Sequence, residues 1–169
     1  FKNKKYLNKK YILYATTLKG FTNLQYLGVD MFYEYWNILE DLNQKSKKKG
    51  KKILVKIHPQ FKRCKREFAK FFDNLKFSNQ RIDRLLNKSY AAIGLSSGSI
   101  EDALNSRVPV ILYDPKSRYK QMNCYKKENK EEAVNYINKK EELEYILEKI
   151  KSIKKFNFDS YIYESNIKE

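Results

Sequence analysis

Residues 90–113 read YAAIGLSSGSIEDALNSRVPVILY, and this stretch decides the fold. Tyr90-Ala-Ala-Ile-Gly-Leu95 is a short unbroken apolar run, and Ser96-Ser-Gly-Ser99 is a turn of small residues. Residues 100–105 have helical character, and Val108-Pro-Val-Ile-Leu-Tyr113 is a second apolar run. A strand that is apolar at every position has both faces covered, as in a parallel sheet. A helix between two such strands makes a βαβ unit.

The same alternation extends in both directions. Upstream, Tyr11-Ile-Leu-Tyr-Ala-Thr16 predicts a buried strand, and a loop with Gly20 and Gly28 follows. Asp30 is placed to cap a helix over 30–46, with Phe32, Tyr35, Trp36, Leu39 and Leu42 at helical spacing. A lysine-rich turn at Gly50 leads into Lys52-Ile-Leu-Val-Lys-Ile57, a strand that His58-Pro59 ends, because proline cannot donate to a sheet ladder. Phe61, Cys64, Phe68, Phe71 and Phe72 mark an amphipathic helix, so the Cys64 thiol is expected inside. Leu75 to Phe77 predict a short strand, and residues 81–88 a short helix with Ile82, Leu85 and Leu86 inward. Downstream, residues 131–136 predict one last strand. Residues 140–154 predict a helix with Leu143, Ile146, Leu147 and Ile150 on one face. The expected fold is therefore α/β, a Rossmann-like three-layer domain with a mainly parallel sheet of at least five strands. Residues 11–155 form this domain, 1–10 a basic N-terminal segment and 156–169 a C-terminal tail.

The composition excludes several classes. A chain of 169 residues with 41% hydrophobic and 15% aromatic residues can build a core. No apolar run approaches the ~20 residues of a membrane span, and the basic first ten residues are unlike a secretory signal. The chain starts at Phe1, which suggests a domain excised from something longer. A formal net charge of +16 raises the question of nucleic acid, but no RNA-recognition signature, zinc-finger spacing or basic zipper is present. Lysine, asparagine, isoleucine and tyrosine are all abundant, as an AT-rich genome would encode. An anionic membrane surface is the better partner for that charge. Two unpaired cysteines and one histidine give no metal site and point to a reducing cytoplasm.

Open α/β sheets bind ligands beyond the carboxyl ends of their strands. The residues at those ends are Thr16, Thr17 and Lys19, then His58 and Pro59, then Ser96, Ser97, Gly98 and Ser99. Small hydroxyl residues and glycine at a helix start expose N–H donors at the positive end of the helix dipole, which suits a phosphate. Ser97 or Ser99 can equally serve as an ordinary cap, with Glu101 or Asp102 favouring the first turn. His58, the single histidine, can donate to a phosphate oxygen and offset charge on a departing phosphate. A bond to a loop carbonyl would suit it as well. There is no GxGxxG after the first strand and no GKS/T loop, so NAD and P-loop readings are weak.

Taken in order, Ile12-Leu-Tyr-Ala-Thr16, Lys56-Ile-His-Pro59, Ser96-Ser97 before a helix and Val108-Pro-Val-Ile-Leu-Tyr113 resemble the carboxy-terminal domain of GT-B-fold enzymes. They are similar in particular to transferases with cytidine-nucleotide donors: CDP-glycerol glycerophosphotransferases and bacterial sialyl-, polysialyl- and Kdo-transferases. The resemblance covers roughly residues 11–150. It implies that His58 contacts the donor phosphate and assists departure of the nucleotide, while Ser96 and Ser97 hold it. Glu101 or Asp102 would reach the ribose or base. It also implies a CMP- or CDP-activated donor, no tightly bound cofactor, and a lipid-linked or polysaccharide acceptor in bacterial surface-polymer synthesis such as capsule or teichoic acid. The acceptor-activating base would lie on a partner N-terminal domain, so this chain alone would bind but not catalyse. Two departures from the family pattern are plain: the segment Gly94-Leu-Ser-Ser-Gly-Ser99 lacks the aspartate typical of the glycerophosphotransferases, and Thr16-Thr17 replace their proline. A UDP-sugar enzyme of the same shape, epimerase-like, and a non-catalytic basic module for nucleic acid or acidic polymer are the alternatives.

Overall fold

The computed structural model describes residues 9–15, 25–94, 98–117, 124 and 131–162, with the backbone alone for residues 25–31, 59 and 60. Strands β1 (Tyr11–Ala15), β2 (Lys52–Lys56), β3 (Leu75–Ser78), β4 (Ser89–Gly94), β5 (Val110–Tyr113) and β7 (Val134–Ile137) form one sheet, in the order β3-β2-β1-β4-β5-β7. Every neighbouring pair in it is parallel. A two-residue strand, β6 (Glu131–Glu132), pairs instead with β8 (Phe156–Asn157). The expected last strand over 131–136 is thus two strands in two sheets. They part at Ala133, which is buried and whose carbonyl accepts from Val110 N. Phe158 is buried beyond β8, so packing against the sheet continues past residue 155.

Helices cover both faces. On one, Ile12, Tyr14, Val55 and Ile111 meet α1 (Gln25–Lys49), α2 (Lys65–Phe71) and α5 (Lys140–Ser152) through Leu39, Phe68 and Leu147. On the other, Leu13, Leu54, Ala92 and Leu112 meet α3 (Ile82–Leu86) and α4 (Gly98–Asn105) through Leu86 and Leu104. Strand residues therefore alternate between two hydrophobic layers, which is why the runs read as apolar throughout.

Three local expectations are corrected. First, α1 is helical from Gln25 and continues to Lys49, so Asp30 lies inside it and is not its cap. Lys47, Lys48 and Lys49 favour the negative end of the helix dipole, and Gly50, at φ 60, takes the left-handed conformation that ends a helix. Second, Cys64 is exposed. Residues Pro59–Cys64 form a 3-10 turn before α2 begins, and three residues per turn instead of 3.6 shifts the phase. Phe68 and Phe72 stay inside while Phe71 turns out. Third, α4 starts at Gly98, two residues before the expected start, so Ser99 is within its first turn and is not a cap.

At its other end α4 closes with bonds from Arg107 N to Leu104 O and from Val108 N to Ala103 O, both 2.8 Å. Arg107 adopts φ 54 to do so. This is the Schellman pattern with arginine at the position glycine usually holds. It turns the chain directly into β5.

At the amino-terminal edge, the Ser46 hydroxyl lies 2.6 Å from Lys51 O and 2.8 Å from Asn74 O. Asn43 accepts from Asn74 N at 3.0 Å. These contacts fix the end of α1 against the starts of β2 and β3. At ~1.5 Å per residue, a helix of 25 residues is about 37 Å long, roughly twice a five-residue strand. The amino-terminal part of α1 therefore overhangs the carboxyl edge of the sheet.

Candidate functional site

From β1 the chain builds the sheet one way, through β2 to β3. From β4 it builds the other way, through β5 to β7. The reversal lies between β1 and β4, and their carboxyl ends flank the crevice where open α/β sheets hold ligands. The two strands are close there: a Cβ added to Gly94 would sit 3.9 Å from the carbonyl oxygen of Ala15.

Of the residues singled out from the sequence, Thr16, Thr17, Lys19, Ser96 and Ser97 lie outside the described residues. The others fall along one rim. His58 follows β2, the strand beside β1, and is half-buried. Its carbonyl accepts from Phe61 N at 2.9 Å, which ties it to the turn that Pro59 opens. Gly98 and Ser99 begin α4 directly after the crevice, so the amino-terminal end of that helix points at it. Ser99 is half-buried, while Glu101 and Asp102 are exposed. The chemistry of this side is mixed: helix N–H groups suit an anion, and the two carboxylates accept from hydroxyl groups.

Two buried carboxylates near this edge were not anticipated. Asp114 follows β5 and is 1% exposed. Its Oδ2 accepts from the Tyr136 hydroxyl at 3.1 Å, its N–H donates to Ile137 O, and its carbonyl accepts from Ser117 N. It joins the ends of β5 and β7. Glu34 of α1 is 2% exposed. It shares the inward stripe of Ile38 and Leu42 at intervals of four, a spacing that marks it as buried in spite of its charge.

Glu34 neighbours a layer of buried tyrosines. Tyr14 and Tyr35 stack at 6.1 Å. Burial holds the Tyr14 hydroxyl well above its ordinary pKa, and negative charge on neighbouring Tyr35, Glu34 or Tyr113, once ionised, raises it further. Burial also raises Tyr35. Tyr113 is raised by burial and by its 2.8 Å hydrogen bond to Asp41. All three phenols are therefore neutral at pH 7; Tyr113 donates to Asp41, and Tyr14 and Tyr35 pack ring on ring. Among the described residues, no three His, Cys, Asp or Glu side chains converge as a metal site would require.

No family model matches the chain, and no curated protein matches it by sequence. Solved structures do match its fold. UDP-GlcNAc 2-epimerase from Methanocaldococcus jannaschii, solved with UDP-GlcNAc and UDP, superposes with a TM-score of 0.56 at 19% identity over 86% of this chain. E. coli heptosyltransferase WaaC, solved with ADP-2-deoxy-2-fluoro heptose, gives 0.54 at 13% identity over 84%. The Neisseria meningitidis UDP-GlcNAc 2-epimerase gives 0.51 at 15% over 86%. The chain spans 40%, 44% and 39% of those proteins respectively. Its fold is that of one Rossmann-like half of a GT-B enzyme.

Proposed function

We propose that the chain is the donor-binding half of a transferase that builds a bacterial surface polysaccharide from a CMP- or CDP-activated donor. The observation that carries this reading is the order of the sheet. Its reversal point lies between β1 and β4, directly before the glycine that opens α4. In the proposed complex the donor phosphate lies against the amino-terminal end of α4, held by Ser96, Ser97, Gly98 and Ser99, with Thr16 and Thr17 opposite. His58 donates to the phosphate and stabilises the charge it gains as the bond to the transferred group breaks. Glu101 or Asp102 accepts from the ribose hydroxyls. The nucleotide is substrate throughout, and no resident cofactor is needed.

The acceptor, a polysaccharide or lipid-linked chain, would be deprotonated by a base on a second domain. The solved neighbours have more than twice the length matched here, which is consistent with such a partner. The 169-residue chain is therefore expected to bind nucleotide without turning over a donor. Half of a closed cleft loses much of the usual burial, so affinity should lie in the high micromolar to millimolar range. Competition among CMP, CDP, UDP and ADP tests the choice of donor. Preference for the cytidine nucleotides supports it, and preference for UDP moves the reading to a UDP-sugar enzyme of the same fold. Turnover by the isolated chain would contradict the placing of the base elsewhere.

A further inference from the structure

Four aromatic side chains meet on the outside of α1 and α2. Phe32 lies 6.2 Å from Tyr33 and 5.9 Å from Trp36, and Trp36 lies 5.3 Å from Phe71. Tyr33 is 59% exposed and Phe71 66%. Single exposed apolar residues are ordinary, but a connected group of large rings is a feature of contact surfaces.

The 3-10 turn and helix that carry Phe71 are also basic. Lys62, Arg63, Lys65, Arg66 and Lys70 are all exposed on the 3-10 turn and α2, against one acid, Glu67. None of the five has an ion pair among the described residues. Lysines on the α5 side differ. Lys45 and Lys49 pair with Glu144, Lys51 with Glu148, Lys140 with Asp41 and Lys149 with Glu131. Charge is neutralised internally there and left for an external anion at α2.

We propose that this face docks the protein on an anionic membrane surface. The aromatic rings enter the headgroup layer, and the five cations bind lipid phosphates. Tryptophan and tyrosine suit that depth because each has an apolar body and a polar tip. Nucleic acid fits less well, since stacked bases need open ring faces. Here the rings turn edges and tilted faces to one another, at 71°, 39° and 67°. The proposal concerns the outer face of α1 and α2 and does not depend on nucleotide binding at the sheet edge.

Trp36 is the single tryptophan, so its emission reports directly on this face. With phosphatidylcholine vesicles containing about a third phosphatidylglycerol, the protein should co-sediment and the emission should shift to the blue. Vesicles of phosphatidylcholine alone should do neither. The triple variant Lys62→Gln, Lys65→Gln, Arg66→Gln should lose on the order of a hundredfold in partition, about fivefold per cation. Lys47→Gln, Lys48→Gln, Lys52→Gln removes equal charge from the opposite edge and should cost about fivefold or less. Tyr33→Ser, Phe71→Ser should abolish the blue shift, with circular dichroism confirming the fold. Equal losses from the two triple variants would overturn the proposal. So would indifference to anionic vesicles alongside tight binding of single-stranded DNA.

Discussion

Raised above pH 10, the protein should unfold over a narrow range and release several tyrosine protons together. Tyr14, Tyr35, Tyr90 and Tyr113 all have hydroxyls raised by burial, Tyr90 to about 12. A phenol that ionises later in the folded state than at its unfolded value of 10.0 contributes its full stability below that pH. Above it, the unfolded chain sheds protons that the folded chain keeps. Stability then falls by about 1.4 kcal/mol per pH unit for each such group. Four groups together remove about 5 kcal/mol per unit, against a typical total of about 5–15 kcal/mol. Tyrosinate absorbance and far-UV circular dichroism should show Tyr14, Tyr35, Tyr90 and Tyr113 ionising in one cooperative step as the helices are lost. Smooth ionisation of Tyr14, Tyr35, Tyr90 and Tyr113 near pH 10 with the helices intact would contradict the buried layer.

The second large effect concerns the donor phosphate. Ser96→Ala with Ser97→Ala should weaken CMP binding at least tenfold. A hydrogen bond to a charged acceptor is worth ~1.5–3 kcal/mol, so a single real contact suffices for that loss. His58→Ala should weaken CMP or CDP and leave cytidine unchanged, because cytidine has no phosphate to contact. Isothermal titration of each variant, with circular dichroism as the control for folding, separates these outcomes. Unchanged CMP affinity in folded variants would reduce the serines to helix capping and His58 to the end of a strand.

The parallel sheet was legible because each central strand is buried on both sides. Leu13 and Tyr14 belong to opposite layers yet read as one apolar run. The edge proposed for the site followed from that sheet, since His58 comes two residues after β2 and Gly98 four after β4. The corrections arose where local signals compete. Asp30 is a good cap, but the helix propagated past it from Gln25. Cys64 fits a 3.6-residue period that a 3-10 turn interrupts. Residues 131–136 look like one strand, but buried Ala133 divides them between two sheets. Asp114 and Glu34 were missed for another reason. Charge suggests solvent, and only tertiary neighbours such as Tyr136 hold the Asp114 carboxylate inside.

The central claim is that a nucleotide phosphate lies at the start of α4, at the carboxyl edge of the sheet. Amide NMR during titration with CMP tests it most directly, with cytidine as the phosphate-free control. CMP should shift Gly98, Ser99 and His58 and spare Asn43 and Asn74 at the opposite edge, while cytidine should leave Gly98 nearly unmoved. Shifts from CMP centred on Lys62, Lys65 and Arg66, with Gly98 and Ser99 silent, would contradict the claim.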